Sequence, residues 1–137
     1  MTDPDLTITP TLTRDVRDWL MEEVRYPVLA VTNAEGVPAQ SVMCFYLDPE
    51  HPDILLMTSA TRGLPYEGLQ NKRRASLAFE SERKWVVLEG IVELESDPER
   101  VRFMEEASVP RYGLAYPNAR RAPTTIRLRV ERVVRHS

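Results

Sequence analysis

The chain is poor in the residues that carry cysteine, histidine and metal chemistry: it has one cysteine and two histidines. The single cysteine, Cys44, excludes an intramolecular disulfide. It lies in the alternating apolar run "SVMCFYL" and reads as a buried small hydrophobe. A cysteine nucleophile needs a histidine partner. His51 sits in the loop "DPEHPD" and His136 is next to last, so neither is well placed. The same scarcity removes any metal-ligand spacing, and no metal is expected. Long hydrophobic runs are also missing. No segment approaches the ~18 apolar residues of a membrane span, and the opening "MTDPDLTITP" is acidic rather than basic and then apolar. The expectation is a cytoplasmic protein with no membrane partner. Positive charge is not in excess: 18 basic against 21 acidic residues give a net charge of −3. That speaks against a general nucleic-acid binder, which needs a basic face, and leaves room for a small anion site.

What the chain does have is enough length and apolar content for one core. Its 137 residues, 42% apolar and 28% charged, suit a single globular domain. Residues 1–10 are polar and hold Pro4 and Pro10. They read as a loose arm ahead of a domain spanning 11–137. From Thr11 the spacing turns helical. Leu12, Val16, Trp19, Leu20 and Val24 form one apolar stripe, and Pro27 stops it.

Strand patterns follow. "PVLAVTN" is apolar and β-branched, and "NAEG" carries turn chemistry. "VPAQSVMCFYLD" is apolar on both faces, which calls for cover on both sides, by a closed barrel or a partner subunit. "ILLMTS", "ASLAFES", "KWVVLEGIVELES" and "TTIRLRVERVV" complete six strands. In the fifth strand Gly90 suggests a kink or bulge. In the last, Ile126, Leu128 and Val130 face inward and Arg127, Arg129 and Glu131 outward. "RGLPYEGLQNK" reads as a short helix starting near Gly63–Pro65. "SDPERVRFMEEAS" reads as a second helix, capped by Ser96 or Asp97 with Pro98 first. The stretch 109–123, with three prolines, reads as a long loop. Connections too short for parallel crossovers make the sheet antiparallel. The expected fold is mainly β: a six-stranded antiparallel barrel with two or three flanking helices.

The chemistry concentrates where "ILLMTS" ends. Thr58, Ser59 and Thr61 offer hydroxyls, Arg62 a planar guanidinium, and Gly63 close backbone approach at a helix start. An anion site and a solvated, capped turn both account for that cluster. The basic run Lys72–Arg74 reads as a solvated complement to the short helix's C-terminus.

Taken in order, "YPVLAVTNAEGVPAQSVMCFYL", "LLMTSATRG", "LQNKRRASLAFE" and "KWVVLEGIVELESDPE" resemble the motifs of the pyridoxamine 5'-phosphate oxidase-like, FMN-binding split-barrel family. The resemblance spans residues 12–135. It implies a homodimer with FMN bound at the subunit interface and a flavin-dependent oxidoreductase acting on a small molecule. It also implies site roles. Arg62 would bind the phosphate, with Thr58, Ser59 and Gly63 beside it. Gln40, Ser41, Val42 and Met43 would line the ribityl chain and ring. Trp85 takes the place of a glutamine that reaches the partner's cofactor. No side chain is nominated as catalytic acid or base. One departure is plain. Where many members carry a lysine about three residues after the arginine, this chain reads Gly63, Leu64, Pro65 and Tyr66. No C-terminal segment for gripping pyridoxal phosphate follows the last strand, so vitamin oxidation is not expected. The alternatives are a deazaflavin-dependent reductase, a non-enzymatic flavin, haem or small-ligand binder, and a ligand-free dimeric domain.

Overall fold

The computed structural model describes residues 5–32, 35–59, 72–113 and 125–136. Nine elements run in the order β1 (Leu6–Thr9), α1 (Arg14–Glu22), β2 (Val28–Thr32), β3 (Pro38–Leu47), β4 (Ile54–Ser59), β5 (Arg73–Ser81), β6 (Lys84–Leu94), α2 (Pro98–Tyr112) and β7 (Ile126–His136). The strands pair antiparallel in the order β1-β7-β4-β3-β2-β5-β6, and β6 also pairs with β7. That last pairing closes β2 to β7 into a six-stranded barrel. The architecture matches the sequence expectation, with one correction: there are seven strands. The extra one, β1, lies in the segment read as a loose arm. It pairs Leu6–Thr9 with His136–Val133, along the end of β7 that β4 does not reach.

Period-two alternation explains which side chains enter the barrel. Met43 and Phe45 of β3, Leu55 and Met57 of β4, Leu77 and Phe79 of β5, and Leu88 and Val92 of β6 are essentially buried inside. Phe45 and Phe79 meet edge to face, 5.0 Å apart. In β7 the inward set is Ile126, Leu128 and Val130, then Val133. The step changes because Glu89 pairs Arg132 while Gly90 pairs Val130, leaving Glu131 as the extra residue of a bulge. Gly90 is required there. A Cβ on it would lie 1.9 Å from the Arg129 carbonyl oxygen.

The outer faces of β3 and β4 have their own cover. Cys44, Ile54 and Leu56 pack on Met104 and Tyr112 of α2, with Tyr46 and Phe103 beside them. The two-faced burial expected of β3 is thus met by the barrel interior and by α2, over the second half of the strand. Full burial of one such side chain contributes about 1.5–3 kcal/mol.

Two helix ends differ from the sequence reading. Val24 lies beyond the end of α1 and is 53% exposed. α2 runs on to Tyr112, through Pro110 and through residues read as loop. Asp97 caps its start by accepting from the Glu99 amide at 3.0 Å. Gly113, at φ +83°, closes its end on the Val109 carbonyl at 2.8 Å. Tertiary contact overrides the proline's preference here. The Tyr112 hydroxyl lies 3.2 Å from the Phe45 amide, 3.3 Å from the Phe45 carbonyl and 2.9 Å from the Arg25 carbonyl. It occupies the place that β2 vacates beside β3 after Val42. The short helix expected near Gly63–Pro65 and most of 109–123 lie outside the described residues.

Candidate functional site

Antiparallel pairing gives the barrel two distinct ends. At one, the β2–β3 turn meets the end of β4 and the starts of β5 and β7. At the other, the β3–β4 and β5–β6 turns meet β1 and the end of β7.

α1 closes the second end. Its Val16, Trp19 and Leu20 are buried in the barrel core. Arg25, buried to 8% exposure, lays its guanidinium 3.9 Å from the centre of the Trp19 ring. It donates from Nε (3.2 Å) and Nη2 (2.9 Å) to the Trp19 carbonyl and pairs with Glu23 at 3.5 Å. A buried cation is tolerable there because its donors and its charge are met.

The first end carries most of the sequence-nominated residues. The register sets Met43 opposite Ser59 and Cys44 opposite Thr58, and it sets Gln40 opposite Ala30. Gln40, Ser41, Val42 and Met43 therefore run past the point where β4 stops. Their side chains divide sharply. Gln40 and Val42 are exposed, whereas Ser41 is buried at 9% and Met43 completely. Thr58 is fully buried. Among the described side chains of this set at this end, Gln40 and Val42 are the ones exposed to a ligand outside the barrel. Arg62 and Gly63 lie outside the described residues. Trp85, half-buried, is paired with Glu80 next to the β5–β6 turn, at the opposite end. One chain alone does not bring it to Thr58 or Gln40.

Beside Gln40 the outer sheet surface is hollowed. Ala30, Ser76 and Gly90 present little or no side chain, and Pro38, Arg74 and Glu89 stand around them. They bound a cleft of about 310 Å³. Its size is at the lower end of what small-molecule sites occupy. An exposed amide at Gln40, next to Ala30 in the register, and a floor of small residues suit a flat heterocycle, with exposed Val42 one pair further along β3. That donor set fits a flavin-type ring, and the phosphate of such a cofactor would call on cations at the same end.

Several charges near this end were not legible as a group. Arg127 donates from Nε to Glu93 at 2.9 Å and from Nη2 to the same oxygen. That hydrogen bond holds the Glu93 carboxyl below the ordinary carboxylate range and raises Arg127 in turn. Arg127 also lies 3.6 Å from buried Glu95. Arg100 links Glu95 (3.8 Å) to buried Asp48 (3.1 Å), which follows β3 toward the opposite end. The outward positions of Glu93 and Arg127 were readable from alternation; their pairing across β6 and β7 was not. Of the basic run, Arg74 pairs with Glu131 at 3.2 Å, and Lys72 lies close enough to act on Glu93.

Among the described residues no helix is long and apolar enough to cross a membrane. Comparison with known proteins places the fold. No family model and no curated protein matches the sequence. Solved structures do. A conserved hypothetical protein of Mycobacterium tuberculosis superposes with a TM-score of 0.73 at 14% identity, over 97% of this chain and 87% of that one. A provisionally named pyridoxamine 5'-phosphate oxidase of Lactobacillus delbrueckii superposes at 0.61 and 20% identity, over 91% and 94%. An FAD- and haem-binding protein of Mycobacterium smegmatis superposes at 0.65 and 12% identity, over 97% and 73%. The chain has the antiparallel split-barrel fold of the pyridoxamine 5'-phosphate oxidase-like proteins.

Proposed function

We propose that the protein is a flavin-dependent oxidoreductase that works as a homodimer on a small-molecule substrate, with FMN as its cofactor. The observation that carries this reading is the exposed pair Gln40 and Val42 beside the ~310 Å³ cleft floored by Ala30, Ser76 and Gly90. A bound flavin supplies hydride chemistry at its ring. The chain's own residues bind and orient it. The Gln40 amide would hydrogen-bond the ring, Val42 would pack against it and keep water off, and Arg62 would hold the phosphate. A second subunit belongs to the reading for two reasons. Val42 leaves apolar surface uncovered on the outer face, and among the described site residues Trp85 reaches neither Gln40, Val42 nor Thr58 within its own chain.

The spectrum of the purified protein tests the reading. Flavin bands, or their appearance on adding FMN, are expected. A colourless protein that binds no added FMN overturns it. Arg62→Ala should weaken FMN binding about tenfold or more, since a charge-assisted phosphate contact is worth about 1.5–3 kcal/mol. The FAD- and haem-binding neighbour supports a second reading, a non-enzymatic carrier on the same barrel. A Soret band on adding haem, with no turnover by the flavin-loaded protein, would favour it.

A further inference from the structure

We propose that the β5–β6 side of the cleft binds the substrate, and that this substrate is a flat organic cation of the amidinium type, held by the Glu89 carboxylate beside the Ser76 hydroxyl. The assignment to a substrate rests on the proposed flavin site; the cation site itself rests on the sheet.

The register lays the polar groups out in one row. Gln40 stands opposite Ala30, Ala30 opposite Ser76, Ser76 opposite Glu89 and Glu89 opposite Arg132. All five belong to the outer face, because their strand neighbours Ser41, Val31, Leu77, Leu88 and Val133 are buried. Ala30 contributes only a methyl group, so the row has two polar stretches with a gap between them. Gln40 and Glu89 are three strand intervals apart, about 14 Å at the usual spacing. Glu89 and Ser76 line the cleft itself, whereas Gln40 stands at its side. The next row, Val42, Val28, Ala78, Val87 and Val134, is apolar throughout. A flat ligand lying along the polar row therefore meets hydrogen-bonding groups on one side and hydrocarbon on the other.

The two stretches accept different chemistry. The Gln40 amide offers both a donor and an acceptor. It complements the imide edge of a flavin, where an N–H lies between two carbonyl oxygens. The ionised Glu89 carboxylate only accepts, and those carbonyls would repel it. Glu89 thus suits a different molecule, one whose edge consists of donors. An amidinium presents two parallel N–H bonds and a positive charge, the arrangement that meets a carboxylate bidentately.

Glu89 is available for that contact. Among the described residues its ionic partner is Arg132, at 3.6 Å, with both side chains about half exposed. That separation is beyond hydrogen-bond distance, and an exposed pair of this kind contributes little. The guanidinium on the same wall is already neutralised, since Arg74 donates to Glu131 at 3.2 Å. Gly90, next to Glu89, leaves the floor beside the carboxylate clear, and the Arg129 carbonyl forbids a side chain there.

Calorimetric titration of the full chain, with and without FMN, tests the site with benzamidine as the planar cation and benzamide as its neutral counterpart. The wild-type protein should bind benzamidine about tenfold more tightly than benzamide, whether or not FMN is present. Glu89→Gln should abolish that preference while FMN affinity stays within about twofold. Arg132→Gln removes the competing cation and should tighten benzamidine severalfold. The two variants act in opposite directions, which a loss of folding cannot produce. No measurable benzamidine binding, equal affinity for the two probes, or benzamidine binding unchanged in Glu89→Gln each overturns the cation site. Displacement of benzamidine by FMN would put both molecules in one place and overturn the division of the row. A chain that binds benzamidine through Glu89 but no FMN upholds the cation site and overturns the flavin reading instead.

Discussion

The two ends of the barrel are built on different principles. The end under α1 is shut by packing. Leu20 is fully buried, Trp19 nearly so, and a charge taken inside, on Arg25, is held between an indole face and a carbonyl. The other end is open. Its outer surface holds an exposed amide, a cleft floored by small residues and a rim of paired charges. The difference separates stability from recognition. A closed end needs apolar volume and tolerates little change. An open end keeps polar groups in reach of a ligand and gives up burial to do so.

The largest expected effect tests whether the open end is soft. Gly90 lines its cleft, yet a Cβ there would meet the Arg129 carbonyl at 1.9 Å. Gly90→Ala must push β6 from β7 at the bulge. The expected loss is about 4 kcal/mol in urea unfolding, at the upper end of single-substitution effects. A loss under about 1 kcal/mol would show that β7 yields freely and that the cleft floor is not a rigid platform.

Next comes the closed end. Leu20→Ala removes a completely buried side chain from the helix that seals the barrel, and about 3 kcal/mol should be lost. Flavin affinity at the far end should hardly move. A variant that kept its stability but lost flavin would break the division between the two ends.

How far these regions were legible follows from what each depends on. The six barrel strands were readable because period-two alternation is strong over runs such as Ile126–Val130 and Val86–Leu94. β1 was missed because Leu6–Thr9 is only four residues long and sits between Pro4 and Pro10. What makes it a strand is the free edge of β7 at Val133–His136, a fact of pairing rather than of its own sequence. The last turn of α2 was missed because Pro110 argues locally for a loop, and the anchor that wins is Tyr112 against a strand over sixty residues earlier. The site divides in the same way. The family resemblance nominated residues 40–43 as a set; the alternation along β3 separates Met43 from Val42, but it carried no sign of the cleft, made by three other strands, beside which Gln40 and Val42 stay exposed. Arg25 carried no local signal at all. Its role exists only once α1 has folded back over the barrel.

Tyr112 joins the two cores and should show a middle-sized effect. Tyr112→Phe keeps the ring and its edge-to-face contact with Tyr26 at 5.1 Å, but removes the hydroxyl that meets the Phe45 backbone. Leaving that backbone unpaired should cost about 1–2 kcal/mol. Burial pushes the Tyr112 phenol above the ordinary tyrosine value. Its contribution is therefore full below that value and disappears as pH rises through the folded one. In the Tyr112→Phe variant the alkaline fall in stability should be shallower. An identical alkaline limb in both proteins would remove Tyr112 from this role.

The smallest effect distinguishes the ends by pH rather than by size. Glu93 is held below the ordinary carboxylate range by Arg127. A depressed carboxylate stabilises the fold above its unfolded value, and that contribution is lost as pH falls through the folded value. Glu93→Gln should cost about 1 kcal/mol near neutrality, no more, because Arg127 retains Glu95 at 3.6 Å. In acid the two proteins should converge. Leu20→Ala, by contrast, should lower stability by the same amount at every pH, since no proton is involved in filling that space. Parallel curves for Glu93→Gln and wild type would mean that this pair does not anchor the open rim. The joint between β6 and β7 would then rest on packing, as the closed end does.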